Sequence, residues 1–202
     1  MKQPVGVILA GGQATRMGGG DKGRLLLGGR SLLSRVIERT QPQVAALALN
    51  ANGDLERFAD LGLPVLPDPV AGFPGPLAGV LAGMDWAASQ GAEHVVTVAA
   101  DTPFLPEDLV PRLLLAAEGG APIVLASSST DGREIRHPTF GLWSVNMRDD
   151  LCAALERGER KVGLWAELQG AVLAPFPSAG IDPFLNINTP EDMARAEDLV
   201  ER

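Results

Sequence analysis

The sequence predicts an α/β chain built on a mostly parallel sheet with helices on both faces. Three observations carry that expectation. Apolar runs such as VGVILA and HVVTVAAD lack polar alternation, which marks strands covered on both sides. Helical patterns alternate with such runs from SLLSRVIERTQ near the N-terminus to the closing TPEDMARAEDLVER. With 202 residues, 46% of them hydrophobic, the chain can bury a full core. No repeat, linker or low-complexity tract divides it, so one domain over 1–202 is expected.

The elements read in order as follows. VGVILA is a first strand, and SLLSRVIERTQ is an amphipathic helix capped by Ser31 and stopped by Pro42. VAALALN is a second strand, DLERFADLG a short helix closed by Gly62, and PVLPD a brief third strand. PLAGVLAGMDWAASQG is helical, HVVTVAAD a buried strand, and PEDLVPRLLLAAEGG a helix that tolerates Pro111 near its start. APIVLASS is a strand followed by a polar loop from Ser127 to Arg136, after which PTFGLWS is a strand again. VNMRDDLCAALERG and KVGLWAELQG are helices, and AVLAPF is a short strand. In TPEDMARAEDLVER, Thr189 is the N-cap, Pro190 the first helical residue, and Asp192 sits three past the cap.

Composition narrows the function classes. A net charge of −8 argues against a nucleic-acid surface, and no stretch reaches membrane-spanning length. The apolar run after Pro4 is too short for a secretory segment, and the single Cys152 excludes an internal disulfide framework. A reducing cytoplasm is therefore the expected compartment. Charge is uneven: residues 1–40 hold seven basic and two acidic side chains, the remainder ten basic and twenty-three acidic. A positive island on an acidic chain suits capture of a small polyanion. Part of that island, Arg30, Arg35 and Arg39, is equally consistent with a solvated face of the first helix.

The segment LAGGQATRMGGGDKGRLLLGG holds eight glycines together with Arg16, Lys22 and Arg24. A loop of this kind exposes backbone N–H groups, and its cations point to an anionic ligand. It is not a Walker loop, because Lys22 precedes Gly23 rather than Ser or Thr. Gly18, Gly20 and Gly23 match G-x-G-x-x-G formally, but they start well after the strand and the second strand ends in Asn50, not an acid. Ligands of such sheets bind beyond the carboxyl ends of the strands. The loop, Asn50, Asp68 and Asp101 all fall at predicted strand ends, so the fold would gather them at one edge.

The pattern L-A-G-G-x-x-T-R-M-G followed by Lys resembles the signature of nucleotidyltransferases, which join an NTP to a phosphorylated acceptor with loss of pyrophosphate. DPVAGFPGPLAG (68–79), AADTPFLP (99–106), RHPTFGLW (136–143), GERKV (158–162) and FLNINTPEDMAR (184–195) narrow the likeness. In order and spacing they resemble the molybdenum cofactor guanylyltransferases over nearly the whole chain. Cytidylyl-transferring relatives differ, with a loop closer to T-A-A-G and D-M-P where this chain has Asp-Thr-Pro. The resemblance implies a Rossmann-like fold and transfer of GMP from GTP to the phosphate of molybdopterin (Mo-molybdopterin), giving the guanine dinucleotide cofactor. It implies Mg2+ as cofactor and molybdoenzymes or their chaperones as recipients, with no nucleic-acid or membrane partner. It also implies a nucleotide-binding part of about 1–105 and an acceptor-binding part of about 106–202.

Residue roles follow from the same likeness. Arg16, Lys22 and Asp101 are the catalytic candidates, with Asp101, a hard oxygen ligand ending a buried strand, as the metal ligand. Leu9, Ala10, Gly11, Gly12, Lys22, Asn50, Asp68 and Asp101 match nucleotide contacts. Guanine presents two adjacent donors, N1–H and the 2-amino group, and either Asp68 or Asn50 could accept both; the residues leave open which reads the base. Arg136, His137, Arg160 and Lys161, flanked by Arg133 and Arg157, are candidates for the acceptor. Asn186 and Asn188 stand where sugar-phosphate relatives carry an acidic metal ligand; their amides either complete the metal shell through carbonyl oxygens or shape the loop with some substrate contact, and the latter is expected. His94 reads as structural. A phosphate acceptor is already anionic, so neither a general base nor a covalent intermediate is required. The alternatives are a cytidylyltransferase on the same pterin, a sugar-phosphate nucleotidyltransferase, and a non-catalytic cofactor carrier.

Overall fold

The computed structural model describes residues 2–11, 21–70, 75–130, 132–177 and 182–200. β1 (Val5–Leu9) leads to a small ribbon of β2 (Leu26–Leu27) and β3 (Arg30–Ser31), then to α1 (Leu32–Thr40), β4 (Leu47–Asn50) and β5 (Val65–Leu66). α2 (Pro76–Ser89), β6 (His94–Ala99), α3 (Leu109–Ala116), β7 (Ile123–Thr130) and β8 (Arg133–Ser144) follow. α4 (Arg148–Glu156), α5 (Val162–Leu168), β9 (Val172–Phe176) and α6 (Pro190–Val200) complete the described chain.

One seven-stranded sheet runs through the molecule in the order β5-β4-β1-β6-β8-β7-β9. β1 pairs in parallel with β4 and β6, β4 with β5, and β7 with β9, whereas β8 runs antiparallel to both neighbours. The mostly parallel sheet is as expected. Period-two alternation splits its side chains between two cores. Ile8, Val96, Val98, Val124, Phe140 and Leu142 pack toward α1 and α3. Val5, Val7, Val95, Ile123, Leu125 and Trp143 pack toward α2, α4 and α5. Both faces are therefore covered, which is why the strands read as unbroken apolar runs. Burying each large side chain contributes about 1.5–3 kcal/mol.

Local signals explain the element ends. Ser31 Oγ accepts from Ser34 N at 3.1 Å, capping α1. Thr189 and Asp192 cap α6 reciprocally: Asp192 N donates to Thr189 Oγ1 at 3.2 Å, and Thr189 N donates to Asp192 Oδ2 at 3.0 Å. Gly28 and Gly29 take φ of +55° and +77°, the left-handed pair that a two-residue hairpin turn needs, and so build the β2–β3 ribbon.

Four expectations change. Ser127–Arg136 is not a polar loop, because β7 and β8 continue as a hairpin pairing Ser127 with Arg136 and Ser129 with Glu134, while buried Ser127 and Ser128 also pair with β9. Strand pairing satisfies that polar backbone without an apolar face. DLERFADLG forms a 3-10 rather than an α-helix, over Leu55–Leu61. PVLPD yields only Val65–Leu66 as strand. Arg30 lies in β3, not on the first helix, and pairs with Glu38 at 2.9 Å, while Arg35 donates to Leu27 O. With Arg39 held by Leu105 O and Glu107, this part of the cationic island is engaged in the fold.

Candidate active site

Parallel pairing places the carboxyl ends of β1, β4, β5 and β6 at one edge. Ala10 N donates to Asn50 O at 2.9 Å, Ala100 N to Leu9 O at 3.1 Å, and Ala51 N to Leu66 O at 3.1 Å. Beyond them opens a cleft of about 400 Å³. Leu9, Ala10, Gly11, Lys22, Asn50, Asp68, Asp101 and Asn186 all line it. The expectation that distant strand ends converge is thus met for these residues. Gly12 and Arg16 lie outside the described residues.

At one end of the cleft, Lys22 Nζ donates to Asp101 Oδ2 at 2.5 Å and also to Asn188 Oδ1. The Lys22 and Asp101 side chains are only 10% and 20% exposed, so the pair is poorly screened. The strap carrying the asparagines is pinned beneath: Ile187 N donates to Asp101 O at 3.0 Å, and buried Thr102 donates through Oγ1 to Asn186 Oδ1. Asp101 does not cap a helix, since the next one begins only at Leu109. Oxygen atoms of Asp101 and Asn188 converge on one ammonium, so this donor set suits a small hard cation. Among the described residues no three His, Cys, Asp or Glu side chains form a metal cage.

At the other end, Asn50 Nδ2 donates to Leu66 O at 3.1 Å and to Asp68 Oδ1 at 2.9 Å. Asn52, absent from the sequence reading, donates from Nδ2 to Asp68 Oδ2 at 2.7 Å and accepts from Asp68 N at 2.8 Å. α2 crosses so closely that a Cβ on Gly79 would lie 2.3 Å from Asn50 Oδ1. Thr139, also missed, reaches the cleft where β8 slips register against β7 between Leu125 and Ala126.

The remaining candidates sit elsewhere. Arg136 pairs with Glu167 of α5 at 2.9 Å and does not line the cleft. Arg160 donates to Glu159 O at 2.8 Å, and Glu159 Oε1 accepts from the backbone N of Arg160 and Lys161 at 2.8 Å, just ahead of α5. Neither Arg160 nor Lys161 lines the cleft. His137 is also off the lining; its Nε2 bonds Ser128 Oγ at 2.8 Å, and its ring stacks on Phe184 at 4.1 Å. Burial lowers the His137 pKa, partly opposed by the charge of Asp182. His94 is likewise lowered by burial at the start of β6, remote in role from the cleft.

A Rossmann-like sheet with a cation-and-carboxylate cleft beyond its strand ends defines a nucleotidyltransferase class of protein, and the comparisons with known proteins agree. Residues 6–170 match the family described as MobA-like NTP transferase domain. A molybdenum cofactor guanylyltransferase of Mesorhizobium japonicum is 51% identical over 201 residues, covering 97% of this chain and 95% of its own. One of Cereibacter sphaeroides is 52% identical over 197 residues, covering 98% and 97%. The chain belongs to the MobA-like NTP transferase family, within its molybdenum cofactor guanylyltransferase branch. Among solved structures, molybdopterin-guanine dinucleotide biosynthesis protein A of Archaeoglobus fulgidus superposes with a TM-score of 0.73 at 23% identity, over 98% of each chain. The 2-C-methyl-D-erythritol 4-phosphate cytidylyltransferase of Thermus thermophilus gives 0.72 at 19%, over 100% of each chain. At these identities the likeness is one of fold.

Proposed function

We infer that the chain transfers GMP from GTP to the phosphate of molybdopterin, forming the guanine dinucleotide cofactor and releasing pyrophosphate. The observation that carries this reading is the meeting of Lys22, Asp101 and Asn188 at the strand-end cleft. The name shared by relatives identical at half of their positions supports the nucleotide and the acceptor. Asp101, with Asn188 beside it, would hold Mg2+. When bound, that ion supplies charge neutralisation at the triphosphate.

The residues of the chain do the rest. Lys22 exchanges its contact with Asp101 for the phosphate oxygens, lowering the repulsion met by an incoming anion. The backbone of Leu9, Ala10 and Gly11 seats the nucleotide, and Asn50 and Asp68 hold the nucleoside end. Gly12 and Arg16 join by resemblance. The acceptor phosphate attacks the α-phosphorus in line, and catalysis is alignment plus electrostatics without a general base. Arg136, His137, Arg160 and Lys161 remain the acceptor-side proposal, consistent with a division near residue 105. That division is not strict, because Asn186 and Thr139 line the same cleft as the N-terminal residues. No helix of the described residues is long and apolar enough to cross a membrane. The reading places the activity in the cytoplasm, with molybdoenzymes or their chaperones as recipients of the product.

The test supplies GTP, CTP, ATP and UTP separately with molybdopterin and Mg2+ and measures pyrophosphate. Release from GTP alone, and only with the acceptor, is expected. Preference for CTP, or tight binding without turnover, would replace this reading with cytidylyl transfer or a carrier role.

A further inference from the structure

The amide pair around Asp68 decides which side chain reads the base. Asn50 is unsuited to it. Its residue is 5% exposed, both hydrogens of its amide are engaged by Leu66 O and Asp68 Oδ1, and its carbonyl oxygen is pressed against α2 at Gly79. Asp68 is only half-buried and lines the cleft together with exposed Asn52. Asn52 grips Asp68 at two points, one on the backbone N–H and one on Oδ2, while Asn50 takes Oδ1.

We propose that Asn52 is a specificity-positioning residue: it aims the Asp68 carboxylate at the N1–H and 2-amino edge of guanine. The assignment rests on the guanylyl reading above. A carboxylate offers about four acceptor sites, two per oxygen. The amides of Asn50 and Asn52 fill one on each oxygen, leaving each oxygen a further acceptor site. Guanine matches them with two adjacent donors. Cytosine and adenine set a single amino donor beside a ring-nitrogen lone pair, which an acceptor-only group repels. Without Asn52, nothing described holds Oδ2, and only the Asn50 bond to Oδ1 resists rotation about the Cβ–Cγ bond.

The experiment measures binding of GTP and of ITP, which lacks the 2-amino group, to the full chain with Mg2+ and no acceptor. CTP serves as the comparison. The natural chain should bind GTP about tenfold or more tightly than ITP, the value of one hydrogen bond to a charged acceptor. In Asn52→Ala the affinity for GTP should fall about tenfold more than that for ITP, which has only the N1–H contact to lose, so that the ratio collapses toward one. Asp68→Asn, which exchanges one acceptor for a donor, should collapse it too. Equal losses for GTP and ITP, as a purely structural or ribose-directed role would give, overturn the assignment, and so does a ratio left unmoved by either substitution. A natural chain that prefers CTP to GTP overturns the guanylyl reading and this assignment with it. A preference for GTP that survives both substitutions overturns the assignment alone.

Discussion

Gly79→Ala tests the geometry on which the Asn50–Asp68 end of the cleft depends. In an α-helix interior, alanine is favoured over glycine by about 1 kcal/mol, so the substitution on α2 should stabilise if space allowed. Space does not allow it: the added Cβ would lie 2.3 Å from Asn50 Oδ1, 3.0 Å from its Cγ and 2.8 Å from Leu9 Cδ2. Asn50 can move only by giving up its bonds to Leu66 O and Asp68 Oδ1, at about 1 kcal/mol each, and overpacking adds about 1–3 kcal/mol. Against the helical gain, the net loss is about 2–4 kcal/mol. For a chain of this size each kcal/mol lowers Tm by about 2–4 °C, so a drop of about 4–16 °C is expected in a thermal melt. Affinity for GTP should fall as well, because Asn50 seats Asp68. Added to Asn50→Ala, the Gly79→Ala change should cost less than it does in the natural chain, since the amide is gone and only the Leu9 side chain still stands in the way. A Gly79→Ala chain that melts at or above the natural one and binds GTP normally would refute the close seat of Asn50.

Two further outcomes follow from the other end of the cleft and from the hairpin. Lys22→Met and Asp101→Asn should each lower kcat by on the order of 10²–10³, the effect of removing one preorganised charge at the reacting phosphate; pyrophosphate release at the natural rate in either variant would remove the chemistry assigned to the pair. His137 and His94 both have pKa values lowered by burial. Below the ordinary value near 6.5 the unfolded chain takes up protons that the folded one resists, so stability present above that value is lost as pH falls through the depressed folded values. Urea unfolding at pH 7 and pH 5 should show this loss, and His137→Gln should reduce it without abolishing it, because His94 still contributes.

Most of the sheet could be read in the chain because burial on both faces leaves its mark on composition. VGVIL, LALN and HVVTVA are apolar at nearly every position, and each is the strand it resembles. Ser31, Thr189 and Asp192 likewise announce their helix starts through hydrogen bonds that span three residues. What escaped was built by partners distant in sequence. Ser127–Ser129 looks like a loop until β8 pairs with it, and the antiparallel course of β8 is set by its neighbours rather than by its own residues. In the site, strand ends flagged Asp101, Asn50 and Asp68, and a glycine-rich loop flagged Lys22. Asn52 carried no such signal: it is one polar residue in a turn, and its value lies in two hydrogen bonds to a residue sixteen positions away.

The sequence by itself determined the apolar strands, the helix caps and the residue types that line the cleft, because each is encoded over a few neighbouring positions. Tertiary structure alone decided that Lys22 meets Asp101 across 79 residues and Asn188 across 166. It also decided that Arg136 turns to Glu167 rather than to the cleft. Hydrogen bonds and ion pairs act over a few ångströms of space, whatever the separation along the chain, and only folding converts one kind of distance into the other.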